Sequence, residues 1–159
     1  LLRAGLTVDE VDTLLNKRSG MKGLAGANDL RQVHAAAETG DAEAREALEV
    51  YVHAIRHFLG AYLVELGGAD AVVFTAGVGE NDPAVREAVC ADIARLGIAI
   101  DSAKNAATRG PEDVVDLTAR GAPVKILVVP TDEELEIATQ SLAAVVDSGA
   151  AVIEPRAGW

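Results

Sequence analysis

Between Asp41 and Leu66 the apolar residues recur at steps of three and four. Ala44, Leu48, Tyr51, Val52, Ile55, Phe58, Leu59, Tyr62, Leu63 and Leu66 fall on one face of a single long helix, because side chains so spaced lie above one another. Asp41 is an acidic cap at its start, and Gly67-Gly68 stop it. A helix of that length must bury its apolar face against a second layer. The 159 residues suit one domain of ordinary size, with a core to match. Half the residues are hydrophobic and a quarter charged, which excludes a disordered chain. The apolar share is Ala, Val, Leu and Ile with only 3% aromatic residues, as in helix-rich α/β enzymes.

The net charge of −11 argues against nucleic acid, which calls for clustered Lys and Arg, and against an anionic membrane surface. No apolar stretch reaches the length of a membrane span, and residues 1–6 lack a signal-peptide pattern. The single cysteine, Cys90, excludes a disulfide framework and a cysteine-rich metal site. A reduced, cytoplasmic setting is expected. The first residue is Leu1 rather than Met, which raises the question of whether this is a piece of a longer chain.

Along the chain, residues 7–16 predict a short helix with a capping box from Thr7 to Glu10. Residues 17–28, with Gly20, Gly23 and Gly26, predict a loop, and residues 29–37 a helix ended by Thr39-Gly40. AVVFTA (71–76) predicts a fully buried parallel strand running into a glycine loop at 77–81. Asp82 and Pro83 mark the start of a helix that runs to about Leu96 and stops at Gly97. Residues 98–100 are a small strand, 101–122 loop and short helix, and KILVV (125–129) a second buried strand. Residues 132–146 predict a helix with an acidic first turn, and the tail from Gly149 is expected to fray or pack locally. Two strands that each feed a loop and then a helix are α/β wiring. Ligands gather at the carboxyl ends of such strands, here residues 77–82 and 130–134.

Three stretches can carry chemistry. In Thr75-Ala76-Gly77-Val78-Gly79-Glu80-Asn81 the glycines permit a sharp turn and close approach of a ligand. The helix start that follows favours phosphate, and Asn81 suits a nucleobase edge or ribose. The same residues serve equally as a plain strand–helix connection. They also imitate a dinucleotide fingerprint, with Gly77-x-Gly79 and Asp101 downstream, although Asp82 stands where the third glycine belongs. In Thr131-Asp132-Glu133-Glu134 a carboxylate can hold Mg²⁺ that substrate phosphates complete, or can simply suit a helix N-terminus. In Asn28-Asp29-Leu30-Arg31, Asp29 caps a helix while Arg31 can reach a base or phosphate. His53 and His57 are four apart on one face, but no third ligand is evident; His34 stands alone, and Cys90 reads as core.

These stretches resemble a known family. FTAGVGEND (74–82) is similar to the adenosine motif of acetate kinases, usually FTAGIGEN. LNKRSGMKGLAGANDLR (15–31) resembles that family's LNKKSGLLGLSGSNDLR-type segment, and VVPTDEELEIA (128–138) its PTNEELxIA segment. Three motifs, in order and spacing, span residues 15–138 of the chain. The departures are mild: Leu30 is often Phe, Val78 often Ile and Asp132 often Asn.

The resemblance implies reversible phosphorylation of acetate by ATP with Mg²⁺, giving acetyl phosphate and ADP. It implies a partial ribonuclease-H-like (actin-like ATPase) fold, α/β and helix-rich, with a small mainly parallel sheet. The chain then corresponds, over residues 1–159, to the C-terminal nucleotide-binding portion, with the N-terminal acyl-substrate half absent. Asp29, Leu30, Arg31, Gly77, Val78, Gly79 and Asn81 match the nucleotide-contacting positions, and Glu133 the Mg²⁺-linked glutamate. The catalytic residues that meet acetate and the moving phosphoryl group have no counterpart here, so the chain alone is expected to be inactive. A homodimer through the C-terminal half is also implied. The alternatives are an NAD-binding oxidoreductase domain and a non-catalytic dimerisation module.

Overall fold

The computed structural model describes residues 1–147. The tail expected from Gly149 lies outside them. A 3₁₀ turn at Leu2–Ala4 leads to helix α1 (Val8–Lys17). The capping box is present: Thr7 Oγ1 accepts from the Glu10 N–H at 3.2 Å, and the Glu10 carboxylate accepts from the Thr7 N–H at 2.8 Å. The stretch expected as a loop contains a one-turn helix, α2 (Met21–Ala25). Gly20 (φ 63°) enters it and Gly26 (φ 71°) leaves it, so the glycines punctuate a helix rather than prevent one. Next come α3 (Leu30–Glu38), capped by Asp29, and α4 (Ala42–Leu66), capped by Asp41 and ended by Gly67 at φ 71°.

The strand β1 (Ala71–Phe74) turns into a six-residue helix, α5 (Ala76–Asn81), where a glycine loop is expected. α6 (Pro83–Cys90) starts on Asp82 and Pro83 as the sequence indicates, but ends at Cys90 rather than Leu96. A 3₁₀ turn at Ala94–Leu96 completes that run and stops at Gly97. α7 (Ser102–Ala107), β2 (Val115–Asp116), β3 (Lys125–Val128) and α8 (Glu133–Asp147) follow. The small strand expected at 98–100 is reduced to one bridge, Ile100 to Thr118.

The sheet is three-stranded, in the order β1-β3-β2. β1 pairs parallel with β3, Ala71 opposite Lys125 and Phe74 opposite Val128. The short β2 pairs antiparallel with β3, so the sheet is mixed. β3 is the buried strand, with Ile126 and Val128 inaccessible. β1 lies at the edge and alternates between faces; Val73 is 49% exposed, so it is not the fully buried strand its composition suggests. The core gathers Ile126, Val128, Leu117, Ile98, Val124 and Cys90 against one face, with Leu63, Val72 and Phe74 at its margin. Burial pushes the Cys90 thiol up to about 11, as suits a core residue rather than a nucleophile.

A second cluster forms where α3 and α2 meet the first turns of α4, around Val33, Ala44 and Ala47. The apolar face of α4 is therefore not one buried stripe. Its first half packs on α2 and α3, while Phe58, Tyr62 and Leu66 are exposed. Midway, Arg56 crosses to the end of α6 and donates to the carbonyls of Ala88, Val89 and Ala91 at 3.1, 3.0 and 2.6 Å. A cation there satisfies carbonyls that a helix end leaves without partners. In α8 every described side chain through Val146 is exposed. No helix of the described residues is long and apolar enough to cross a membrane.

Gly97 is held at φ 83°, and a Cβ there would lie 2.9 Å from Pro123 Cγ and 3.1 Å from Val124 Cγ2. Gly121 has a similar φ of 85° but opens into free space. Gly97→Ala should therefore cost about 2–4 kcal/mol, backbone strain plus a clash, against about 1–2 kcal/mol for Gly121→Ala from strain alone. Urea denaturation of the two variants measures the difference, and equal losses would contradict the close contact.

Candidate functional site

β1 ends at Phe74, and the chain enters α5 through a sharp bend. Ala76 takes φ 58°, a left-handed conformation that costs a non-glycine residue about 1–2 kcal/mol. The bend is held from the neighbouring strand end, where Thr75 Oγ1 donates to the Val129 carbonyl at 2.9 Å. Within α5 the two glycines differ. A Cβ on Gly79 would lie 3.0 Å from the Phe74 carbonyl carbon, so that position packs α5 onto β1. Gly77 faces open space.

α5 and the Asn28–Arg31 segment form facing walls of a cleft of about 770 Å³. The sequence candidates Asp29, Leu30, Arg31, Gly77, Val78 and Asn81 all line it, joined by Asn28, His34, Glu38, Asp82, Ala84 and Arg109. Gly79 is not part of the lining; it is turned toward Phe74. Asp29 caps α3 by accepting from the Arg31 N–H at 2.9 Å. Its carboxylate also holds the Arg31 guanidinium, with Nη2 to Oδ2 at 2.6 Å and Nε to Oδ1 at 3.0 Å. This pairing lowers the Asp29 pKa and raises that of Arg31.

His34 is not alone, as the sequence suggested. Its Nε2 lies 2.8 Å from Asp82 Oδ2, across the floor of the cleft. The other oxygen of Asp82 accepts from the Val85 N–H at 3.0 Å and caps α6. The acidic residue at the third fingerprint position is thus a cap and a histidine partner. Asp101 caps α7 through the Ala103 and Lys104 N–H groups and does not line the cleft. Neither residue acts as a dinucleotide site requires. His53 and His57 sit exposed on α4 with ring centroids 6.5 Å apart.

Glu133 lies in a shallower depression of about 340 Å³ bordered by Ala76, Gly77, Glu80, Thr131, Asp132 and Glu134. Gly77 borders both spaces, so the two sequence motifs meet there. Glu80 joins them: its Oε1 accepts from the Thr131 N–H at 3.0 Å and from Thr131 Oγ1 at 2.8 Å. Among the described residues, no group of three or more potential ligands gathers to hold a metal.

The segments of this site lie far apart in sequence, and one family model spans them all. The model described as the acetokinase family matches residues 2–139. The chain belongs to that family. An acetate kinase of Leifsonia xyli subsp. xyli is 54% identical over 143 residues, which is 90% of this chain and 36% of the relative. One from Streptomyces coelicolor is 49% identical over 145 residues, 91% of this chain and 35% of the relative. The crystal structure of Porphyromonas gingivalis acetate kinase matches with a TM-score of 0.80 at 38% identity, over 89% of this chain and 35% of that one. A propionate kinase from Francisella tularensis subsp. tularensis matches with a TM-score of 0.75 at 35% identity, over 86% of this chain and 34% of that one. The chain thus spans about a third of the length of these acetokinase relatives.

Two residues of this acetokinase chain escaped sequence reasoning. Arg86 is fully buried, and its guanidinium reaches the carbonyls of Gly79, Glu80, Asn105 and Thr108 and the Asn105 side-chain oxygen, at 2.6–3.2 Å. Burial lowers its pKa, offset in part by Asp82. In sequence it is one charged residue in a helix, with no signal that it points inward. Arg109 lies in the stretch read as loop and lines the cleft. Removing Arg86 leaves several buried acceptors unpaired, so Arg86→Leu should destabilise the chain by about 3–5 kcal/mol. Arg86→Lys should recover little, since one ammonium cannot span both α5 and the α7 end. Urea unfolding of both variants checks this; a lysine variant as stable as the parent would refute it.

Proposed function

We propose that this chain is the nucleotide-side portion of a phosphotransferase that moves the γ-phosphoryl group of ATP to acetate. An acetate oxygen bonds to the γ-phosphorus as the bond to the β–γ bridging oxygen breaks, and that electron pair leaves with ADP. The observation that carries this reading is the cleft in which Asn28–Arg31 faces Gly77–Asp82, with Glu133 across Gly77. Its volume suits a nucleotide-sized ligand. The parallel β1–β3 pair and the likeness to acetate kinase structures support an actin-like ATPase architecture.

In this reading Asp29, Leu30, Arg31, Gly77, Val78 and Asn81 hold the nucleotide, and Gly79 keeps α5 in place. The Glu133 carboxylate has no hydrogen-bond partner among the described residues, so it is free to meet Mg²⁺ directly or through water. Mg²⁺ asks for one or two carboxylates when phosphates complete its shell, which this single glutamate fits. When bound, it neutralises developing charge on the phosphates. The same reading places acetate outside this chain and includes a homodimer. Support for the dimer comes from α4, whose Phe58 and Tyr62 are 59% and 62% exposed.

Isothermal titration of this chain should show MgADP binding in preference to NADH, and Arg31→Ala should weaken MgADP about fivefold, the loss of about 1 kcal/mol. Tighter NADH binding would overturn the reading. Glu133→Ala should abolish the gain in ADP affinity that Mg²⁺ brings while leaving metal-free ADP binding unchanged. A magnesium gain equal to the parent's would remove Glu133 from the site.

A further inference from the structure

We propose that Arg109 is a specificity-determining residue of the cleft that stacks its guanidinium plane on the purine of the bound nucleotide; this rests on the nucleotide reading above. The first support is its placement. The Thr108–Gly110 turn is stitched to the end of α5 by the Gly110 N–H to the Glu80 carbonyl and by Arg109 Nη1 to the Asn81 carbonyl, both at 3.1 Å. Beneath it, Arg86 holds the Thr108 carbonyl at 2.6 Å and the Glu80 carbonyl at 3.0 Å. Gly110 has φ 49°, and a Cβ there would lie 3.0 Å from Asn81 Oδ1, so the turn sits hard against the cleft wall. An arginine carried this way is pre-positioned.

The second support is charge. Of the two arginines that line the cleft among the described residues, Arg31 is already paired with Asp29. Arg109 has no carboxylate partner among the described residues; its one hydrogen bond is to a neutral carbonyl. The third is direction. Arg109 and Asn81 line the cleft but not the depression of Glu133, which borders α5 at Ala76, Gly77 and Glu80. A nucleotide with its phosphates toward Glu133 therefore has its base toward Asn81 and Arg109. Among the described residues no Phe, Tyr or Trp lines the cleft, and the edge of the His34 ring is bonded to Asp82. The Arg109 guanidinium is a planar group at that end of the cleft able to cover a purine face, an interaction that suits its flat, delocalised charge better than a lysine ammonium.

Calorimetric titration of the parent chain, Arg109→Ala, Arg109→Lys and Arg120→Ala with adenosine, MgADP and MgCDP tests the assignment. Arg120 is exposed and outside the cleft, so it controls for net charge. Arg109→Ala should weaken adenosine and MgADP alike, by about fivefold to twentyfold, and narrow the preference for MgADP over MgCDP. Arg109→Lys should remain clearly weaker than the parent, and Arg120→Ala should match it. Unchanged affinity in Arg109→Ala, full rescue by lysine, or a loss confined to MgADP would each overturn the stacking role. If Arg109→Ala fails to fold, the lysine variant decides: parental affinity refutes the proposal, and weakened adenosine binding upholds it. A parent chain that binds neither adenosine nor MgADP would refute the nucleotide reading itself.

Discussion

A guanidinium removed from water must find an acceptor for each of its N–H groups, and Arg86 meets that demand almost entirely with main chain. Its partners come from α5, α7 and the turn after α7, so a single side chain specifies how three pieces of backbone sit together. Asn105 completes the arrangement, donating to the Pro83 carbonyl at 2.8 Å and to the Glu87 carboxylate at 2.9 Å. Among the described residues no carboxylate hydrogen-bonds Arg86; carbonyl dipoles hold the charge instead, with Asp82 contributing at longer range. Such a centre has little tolerance for partial replacement. It explains why a helix as short as α5 keeps one orientation, which nucleation alone would not ensure.

The helix starts were legible because capping is local chemistry. Thr7 with Glu10, Asp29, Asp41 and Asp82 with Pro83 each accept from N–H groups within three residues, and sequence displays that directly; Asp101, expected only as a fingerprint acid, caps α7 in the same way. The strands were harder. β3 is plain because it is the central strand, paired along both edges and buried on the Ile126/Val128 face, whereas β1 has similar composition yet lies at the sheet edge, and neighbour order is set by long-range pairing. α2 and α5 have the composition of loops because glycine is costly in a helix interior. At α5 that cost is offset by Gly79 fitting against Phe74 and by Arg86 holding the carbonyls of Gly79 and Glu80.

For the site, sequence found both walls of the cleft and the acidic turn but assigned the polar roles unevenly. Asp82 marks a helix start in the sequence and caps α6 in the fold, but its pairing with His34, 48 residues away, has no sequence signal. Gly79 and Gly77 are two residues apart and indistinguishable by composition, yet one supports and the other borders the ligand space. The overall charge of −11 sets a field unfavourable to an anionic ligand, so recognition falls to local groups. Arg31, neutralised by Asp29, contributes less free charge than its place in the motif suggests.

The outer edge of β1 has no strand beside it among the described residues. Natural sheets usually guard such an edge with lysine, proline or a bulge, because unpaired main-chain groups are a template for another strand. Ala71–Phe74 carries neither charge nor proline, and half-exposed Val73 adds an apolar surface beside the open hydrogen-bonding groups. That edge is therefore a ready acceptor for a further strand, whether from another copy or from polypeptide beyond the described residues.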